Sequence, residues 1–336
     1  MGSVLVVGGG ITGIQTTLDL SQLGYVVTLL EKEGELGGKL RQLSKLFPKE
    51  ESAKDLLDAK RSQLRDKGNI QIKTHSEIEK VESKPSGYQI YLKGDVTSLE
   101  VGAVVLATGF DPFDPRPIEE YGYGRLKDVI TALELEEMLK GEKVVRPSNG
   151  TTPQKITFIQ CVGSRDRRTN RYCSYFCCTY AIKEALALKK LNHHSEISIM
   201  YMDIRTPYLY EHLYAEAREK GIRFIRSRVS GISEKDGLLD LDIEDTLTRE
   251  SEAFPSDLVV LSIGGIPSSS STQLADQFKL PLSDQGFFKV EEPPVRTTKE
   301  GIFIAGAASG LKDIPHCLAE ASACALYVSA LLGERK

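Results

Sequence analysis

The sequence predicts an α/β fold built from two Rossmann-like dinucleotide-binding domains. Three observations predict it. A glycine-rich turn, Gly8-Gly-Gly10-Ile11-Thr12-Gly13, stands between an apolar run at 4–7 and an apolar-periodic stretch reaching residue 23. A second series of alternating strand-like and helix-like stretches fills residues 156–263. Near the end, an apolar run at 301–306 and one more helical stretch return the chain to the first half. Strands alternating with helices make a parallel sheet. The expected domains are 1–112 with 286–336, a linker at 113–153, and an inserted domain at 154–285.

The first half starts with a strand at 4–7, a helix to residue 23, and a strand at 26–30 ending in Glu31. This is G-x-G-x-x-G between strand and helix, with an acid about 20 positions on. Gly8 makes the tight turn, Gly10 admits a pyrophosphate to the backbone, and Gly13 lets helix pack on strand. The helix N-terminus, with Ile11 and Thr12, faces the phosphates, and Glu31 accepts from a ribose. Lys32 and then Gly37-Gly38-Lys39 follow. That second glycine pair resembles the flavoprotein pattern, in which backbone wraps further around FAD. Residues 52–67 read as a helix, and 69–74, 87–93 and 99–106 as strands. The last strand runs into Ala107-Thr108-Gly109, which resembles the second flavoprotein signature. The strand at 301–306 ends in Gly306 and resembles the third, although Ala307 stands where an acid is usual. Lys312 and Ile314 then precede a last helix at 317–332, whose N-terminus favours an anionic reduced flavin.

Residues 113–153 are rich in proline, glycine and charge, with a helix at 131–139, and read as a crossing. The strand at 156–160 follows and ends in Cys161-Val-Gly-Ser-Arg-Asp. Cys173, Cys177 and Cys178 come next, so four of six cysteines fall within 18 residues. A helix at 179–191 succeeds them, then a strand at 197–202, a helix at 210–220, and strands at 222–226, 238–243 and 257–263. The cysteines therefore sit at a strand's carboxyl end, the edge at which open α/β sheets bind ligands. C-x11-C-x3-C-C does not match the paired C-x2-C halves of zinc ribbons. Adjacent Cys177 and Cys178 disfavour a disulfide between them. An iron–sulfur cluster, zinc, a redox dithiol and inert buried thiols all remain open, the first being the best suited to four soft thiolates. The cysteines occupy the place of a second glycine fingerprint, which argues against a nicotinamide site there. Arg165, Arg167, Arg168 and Arg171 either balance a cluster's charge, meet a partner, or are solvated. Cys317 and Cys324 share one helix face and read as small buried hydrophobes. His316 is a weak candidate for flavin contact, and His193-His194 mark a turn.

The chain has 336 residues, 40% apolar and 27% charged, and a net charge of −4. That balance is globular and points away from nucleic acid. No run of eighteen apolar residues and no basic leader ahead of residue 4 are read, so the expectation is a cytoplasmic protein without a transmembrane segment. Clustered cysteines in such a protein favour metal or redox chemistry over structural disulfides.

At the cysteine stretch the chain resembles a specific family. Phe158-Ile-Gln-Cys161-Val-Gly-Ser-Arg-Asp166, Tyr172-Cys173-Ser and Cys177-Cys178 look like the A-type subunit of heterodisulfide reductases. So do Leu46-Phe47-Pro48, Arg146-Pro147-Ser148 and Lys312-Asp313-Ile314-Pro315. The resemblance implies an FAD/NAD-linked disulfide oxidoreductase fold whose second domain is modified to hold an iron–sulfur cluster. It implies that Cys161, Cys173, Cys177 and Cys178 hold a [4Fe-4S] cluster beside a non-covalent FAD. It also implies partner subunits or an iron–sulfur electron carrier, and a homodimer. Ferredoxin-like C-x2-C-x2-C-x3-C-P runs are absent, and Ala307-Ala308 replace a glycine–cysteine pair. The chain thus resembles the short, core-only A-type subunit of the heterodisulfide reductase-like complex of sulfur oxidisers. It also resembles the flavin subunit of a quinone-interacting oxidoreductase. The rivals are a stand-alone flavin disulfide reductase using Cys177 or Cys178, and a zinc-knotted scaffold protein.

Overall fold

The computed structural model describes residues 2–246 and 251–334. Two compact units divide the chain. Met1–Arg41, Ala53–Asp111 and Ile266–Lys336 form the first, and Gln42–Ser52 with Pro112–Gly265 form the second.

The first unit holds a five-stranded parallel sheet in the order Ile302–Ile304, Ala103–Leu106, Ser3–Val7, Val26–Leu30, Ile70–Lys73. Its central strands are continuous apolar runs because helices and loops cover both faces. Leu5, Val104, Leu106 and Ile304 have no exposed surface. Helices Ile11–Gln22 and Ile314–Glu334 pack on one another. A three-stranded antiparallel sheet, Ile78–Lys84, Gly87–Leu92 and Ser98–Val101, sends Tyr88, Ile90 and Leu92 into the same core. The strand expected at 99–106 is therefore two strands in two sheets. The chain turns at Gly102, whose N–H donates to Ser3 O at 2.8 Å and whose missing Cβ leaves room for Leu332.

The last helix begins three residues before the expected position. Proline is tolerated in a first turn, where the N–H has no helical partner. Its Ile314–Gly333 portion is long and apolar enough to cross a membrane, with mean hydropathy 1.3 and a third of it buried. This corrects the expectation that no segment qualifies. Its Ala321, Cys324, Ala325 and Val328 are fully or almost fully buried, as in the core helix of a globular unit.

The second unit is a seven-stranded sheet in the order Val129–Thr131, Leu258–Ile263, Lys155–Val162, Glu196–Tyr201, Arg223–Lys235, Leu238–Asp245, Ser251–Ser256. The first five strands are parallel and the last two run antiparallel. The stretch expected to be a linker contributes the edge strand Val129–Thr131 and the helix Ala132–Lys140. Thr131 caps that helix, its hydroxyl accepting from Glu134 N while Glu134 accepts from Thr131 N, a capping box.

Two more segments differ from the expected boundaries. Residues 266–285 belong to the first unit, where the helix Ser271–Phe278 buries Leu274, Ala275 and Phe278. Residues 42–52 belong to the second, held by a buried polar cluster. Glu136 Oε2 accepts from Ser44 N and Ser44 Oγ, both at 2.7 Å, while Lys183 pairs with Glu136 and reaches Lys45 O at 3.1 Å.

Candidate cofactor and cysteine sites

In the first unit the glycine turn is built by close approach. Gly8 has φ +108°, and a Cβ there would stand 2.4 Å from Ala107 O. A Cβ on Gly13 would stand 1.8 Å from Gly8 O, so only glycine lets this helix meet this strand. Gly10 differs, because a Cβ on it would meet nothing within 4 Å. The helix it caps has no side-chain cap, so its first N–H groups are free for an anion. Gly37 N donates to Gly9 O at 2.7 Å, and Gly38 lies against Gly10. Gly9 was missed by the three-glycine pattern. A Cβ there would collide with Leu36 and Glu31, and the third glycine of the Gly8-Gly9-Gly10 run was the available signal.

Glu31 is buried at the end of its strand. Its two oxygens accept from Gly9 N at 2.7 Å and Glu33 N at 2.8 Å. A carboxylate has further lone pairs, so these bonds fix its orientation and leave capacity for a ribose. Lys32 is exposed, and Lys39 Nζ lies 3.6 Å from Asp111 Oδ1. Asp111 also accepts from Ser269 N at 2.8 Å. Burial opposes its ionisation, but Ser269, Lys39 and Lys32 together hold the carboxyl below its ordinary range.

Ala107, Thr108 and Gly109 leave the central strand edge, with Gly109 at φ +67°. The Thr108 hydroxyl is buried and has no hydrogen-bond partner. Gly306, at φ +68°, packs against Thr12, so the first and third glycine segments meet there. Lys312 stands between the 306–309 turn and the last helix. Its ammonium bonds Ser309 Oγ at 2.7 Å and Gly306 O at 3.0 Å and pairs with Glu320 at 3.3 Å, while Glu320 accepts from Gly306 N at 3.0 Å. Lysine and glutamate together tie the 306–310 turn. Ile314 is half-buried at the helix start. Asp313 precedes it, accepting from His316 N at 3.0 Å and contacting its Nδ1 at 2.5 Å. Burial raises the pKa of the Cys317 thiol.

In the second unit Cys161 lies at the end of the Lys155–Val162 strand, where register shifts between Ile159 and Val162. Cys161, Arg165 and Tyr175 all have positive φ, a cluster of local strain in one loop. Arg165 N donates to Tyr172 O at 3.0 Å, Asn170 Nδ2 to Gly163 O at 2.8 Å, and Tyr172 Oη to Gly265 O at 3.1 Å. The Ser164 and Ser174 hydroxyls bond each other across the space left by Gly264.

Cys161 and Cys178 both neighbour Cys177. Cys177, fully buried, makes sulfur hydrogen-bond contact with both Cys161 and Cys178. Contact with Cys177 lowers the Cys161 thiol to about 7 against the effect of burial, and the Arg165 guanidinium beside it assists. The same contacts and burial push Cys177 up. Arg165 pairs with Asp203, and the Cys178 thiol points to Asp203 O at 3.9 Å. Cys173 stands apart from these three, half-buried, with its sulfur accepting from Tyr175 N at 3.4 Å. Among the described residues, no group of three or more His, Cys, Asp or Glu side chains has metal-holding geometry. In kind, four thiols in one loop beside a guanidinium fit a soft, anionic group. Of the other arginines, Arg168 pairs with Asp166 and Glu120, and Arg167 and Arg171 are exposed.

The sequence matches the pyridine nucleotide-disulphide oxidoreductase family over residues 2–147 and 180–322. The chain belongs to that family. The match is interrupted over residues 148–179, which contain the strand to Cys161 and all four loop cysteines. Solved structures agree on the fold. A thioredoxin reductase from T. acidophilum superposes with TM-score 0.69 at 17% identity, covering all of both chains. A Lactococcus lactis thioredoxin reductase gives 0.69 and 17%, covering 99% of this chain and all of that one. Family and fold imply FAD, and the open face of Gly10, the uncapped helix and the orphan Thr108 hydroxyl fit it.

The chain is also similar to the A-type iron-sulfur subunit of the CoB–CoM heterodisulfide reductase of Methanocaldococcus jannaschii. Identity is 34%, over 97% of this chain and 64% of that protein. The A-type subunit of the H2:CoB–CoM heterodisulfide,ferredoxin reductase of Methanothermobacter thermautotrophicus is 31% identical, over 96% and 62%. The chain thus spans less than two thirds of the length of these relatives.

Proposed function

We propose that the chain is an electron-transfer flavoprotein subunit of a heterodisulfide reductase-like complex. In this reading it carries FAD on the first unit and a [4Fe-4S] cluster on Cys161, Cys173, Cys177 and Cys178 of the second. The observation that carries it is the set of buried thiols at a parallel strand's carboxyl end, in the segment where the family match breaks. The similarity to subunits named for heterodisulfide reduction supports the complex. Work in the cytoplasm, as a homodimer beside other subunits or an iron–sulfur carrier, belongs to the same proposal.

When bound, FAD exchanges electrons in pairs or singly and the cluster exchanges them one at a time. The chain's residues do the rest. Gly10 and the first turn of its helix would receive the pyrophosphate, and Glu31 would accept from the ribose. Thr12 and Gly306 hold the third segment close, with Lys312 and Glu320 bracing its turn. Arg165 supplies positive charge beside Cys161, and burial keeps water from the sulfurs of Cys161, Cys177 and Cys178.

The sulfur contacts of Cys161, Cys177 and Cys178 favour a second reading, a stand-alone flavin disulfide reductase. Anaerobic purification with iron, sulfide, zinc and FAD quantified per chain separates the two. About four iron and four sulfide with one FAD, and a reduced-cluster EPR signal, are expected. FAD without iron, with NAD(P)H-driven disulfide reduction, replaces the first reading by the second. Zinc without sulfide overturns both.

A further inference from the structure

The Lys155–Val162 strand pairs in parallel with Leu258–Ile263, Phe158 beside Val260 and Ile159 beside Leu261. Phe158 and Val260 share a core with Ala181, Ile182 and Ala185, so the Cys177–Leu191 helix covers this face. Gln160 and Ser262 follow, one on each strand, at the irregularity between the Ile159–Leu261 and Val162–Ile263 pairs. Gln160 is 7% exposed and Ser262 is fully buried. Neither atom of the Gln160 amide has a hydrogen-bond partner, nor does the Ser262 hydroxyl, nor the buried hydroxyl of Thr179 in the helix's first turn. Leaving a buried polar group unpaired costs about 1–3 kcal/mol. Apolar residues of the same size would avoid that cost, as Phe158 and Val260 do one step earlier. Gln160 directly precedes Cys161, Ser262 lies on the strand paired with it, and Thr179 directly follows Cys178 in the first turn of a helix that has no side-chain cap.

We propose that Gln160 and Ser262 donate N–H···S and O–H···S hydrogen bonds to the sulfur-rich group held by these cysteines. They are positioning residues that set its reduction potential. The assignment rests on the cluster reading above. Reduction adds one electron to the group, breaks no bond and moves no proton. Donors aimed at sulfur stabilise the more negative, reduced state and raise the potential.

The test uses the whole chain, purified anaerobically, as parent, Gln160→Met and Ser262→Ala. Methionine keeps the volume of glutamine and removes the donor. Iron and sulfide are counted first, and potentials are then read by EPR-monitored titration. Each variant is expected to keep its iron and to become harder to reduce. The reduction equilibrium should fall at least tenfold for Gln160→Met, about 59 mV for one electron. Loss of iron from Gln160→Met at an unchanged melting temperature also supports the contact. If Gln160→Met does not fold, Ser262→Ala decides alone. A lower potential supports the proposal, and the parent potential overturns it. Parent potentials in both variants, with full iron, mean that the amide and hydroxyl serve only trapped water. A parent chain without iron removes the cluster reading and this assignment together, and the first count shows which has failed.

Discussion

Substituting Gly10 separates binding from folding. Gly10 caps its helix with φ −73° and ψ −178°, a conformation open to alanine, and its added Cβ meets nothing within 4 Å. The folding penalty of Gly10→Ala is therefore the weaker cap alone, about 1 kcal/mol. For a unit of this size that lowers the melting temperature by about 2–4 °C. The binding penalty is larger. The methyl fills the open space in front of Gly10, where the pyrophosphate is expected to lie. Losing one charge-assisted bond costs about 1.5–3 kcal/mol, roughly a tenfold to hundredfold weaker Kd. Gly13→Ala is the contrast, since its Cβ would lie 1.8 Å from Gly8 O and the fold itself must give way. FAD is titrated into stripped protein by flavin fluorescence, with thermal melts alongside. Parent affinity for FAD in a folded Gly10→Ala would refute the placement of the phosphates. Equal melting losses at the two glycines would refute the steric argument.

Four further outcomes follow from named contacts. Cys173 lies outside the three-sulfur set, so Cys173→Ser should reduce bound iron as strongly as Cys177→Ser if all four cysteines are ligands; unchanged iron would leave a three-sulfur site. Asp128 accepts from Arg146 Nε at 3.1 Å and Nη2 at 2.7 Å and from Ser148 N at 2.9 Å, and Asp128→Ala should cost about 3 kcal/mol in a urea melt. Burial opposes ionisation of Asp128, but Ser148 and Arg146 lower its pKa, so its contribution is present above the unfolded pKa and lost as pH falls through the folded one; Asp128→Asn should flatten that acid limb. Glu184 is the reverse case: burial raises its pKa well above the ordinary value and Oε2 has no partner. The fold holds a proton that the unfolded chain releases, so this group destabilises progressively as pH rises above the unfolded pKa. Glu184→Gln should match the parent near pH 4 and exceed it at pH 8, and equal melts at both pH values would show Glu184 ionised in the fold.

The elements most legible in the sequence were those whose reason is local. Residues 3–31 read as strand, glycine turn, helix and strand because both faces of a central parallel strand are covered, and because the turn demands glycine. Elements that depend on a distant partner were not legible. Ile78–Lys84 is an edge strand rich in charge, with mostly exposed side chains, so it lacks an apolar signature. Val129–Thr131 is three residues long and exists by pairing with Leu258–Ile263. At the site, the glycines announced themselves, whereas the bracing of the 306–310 turn did not. Nothing in Lys312 or Glu320 taken alone says that each will hold Gly306.

The two units answer one geometric problem with different residues. After Ser3–Val7 the backbone turns at Gly8 with φ +108°, and after Lys155–Val162 it turns at Cys161 with φ +64° and Gly163 with φ +77°. Glycine takes the first turn without strain and leaves the space in front of the helix empty. Cysteine in the left-handed region costs about 1–3 kcal/mol and fills that space with sulfur. A loop serving only as a turn would be more stable with glycine at 161. Cys161 instead meets a second sulfur on the opening turn of the following helix, and an arginine lies beside it. The strain therefore counts for the sulfur reading, with glycine at one strand end and thiols at the other.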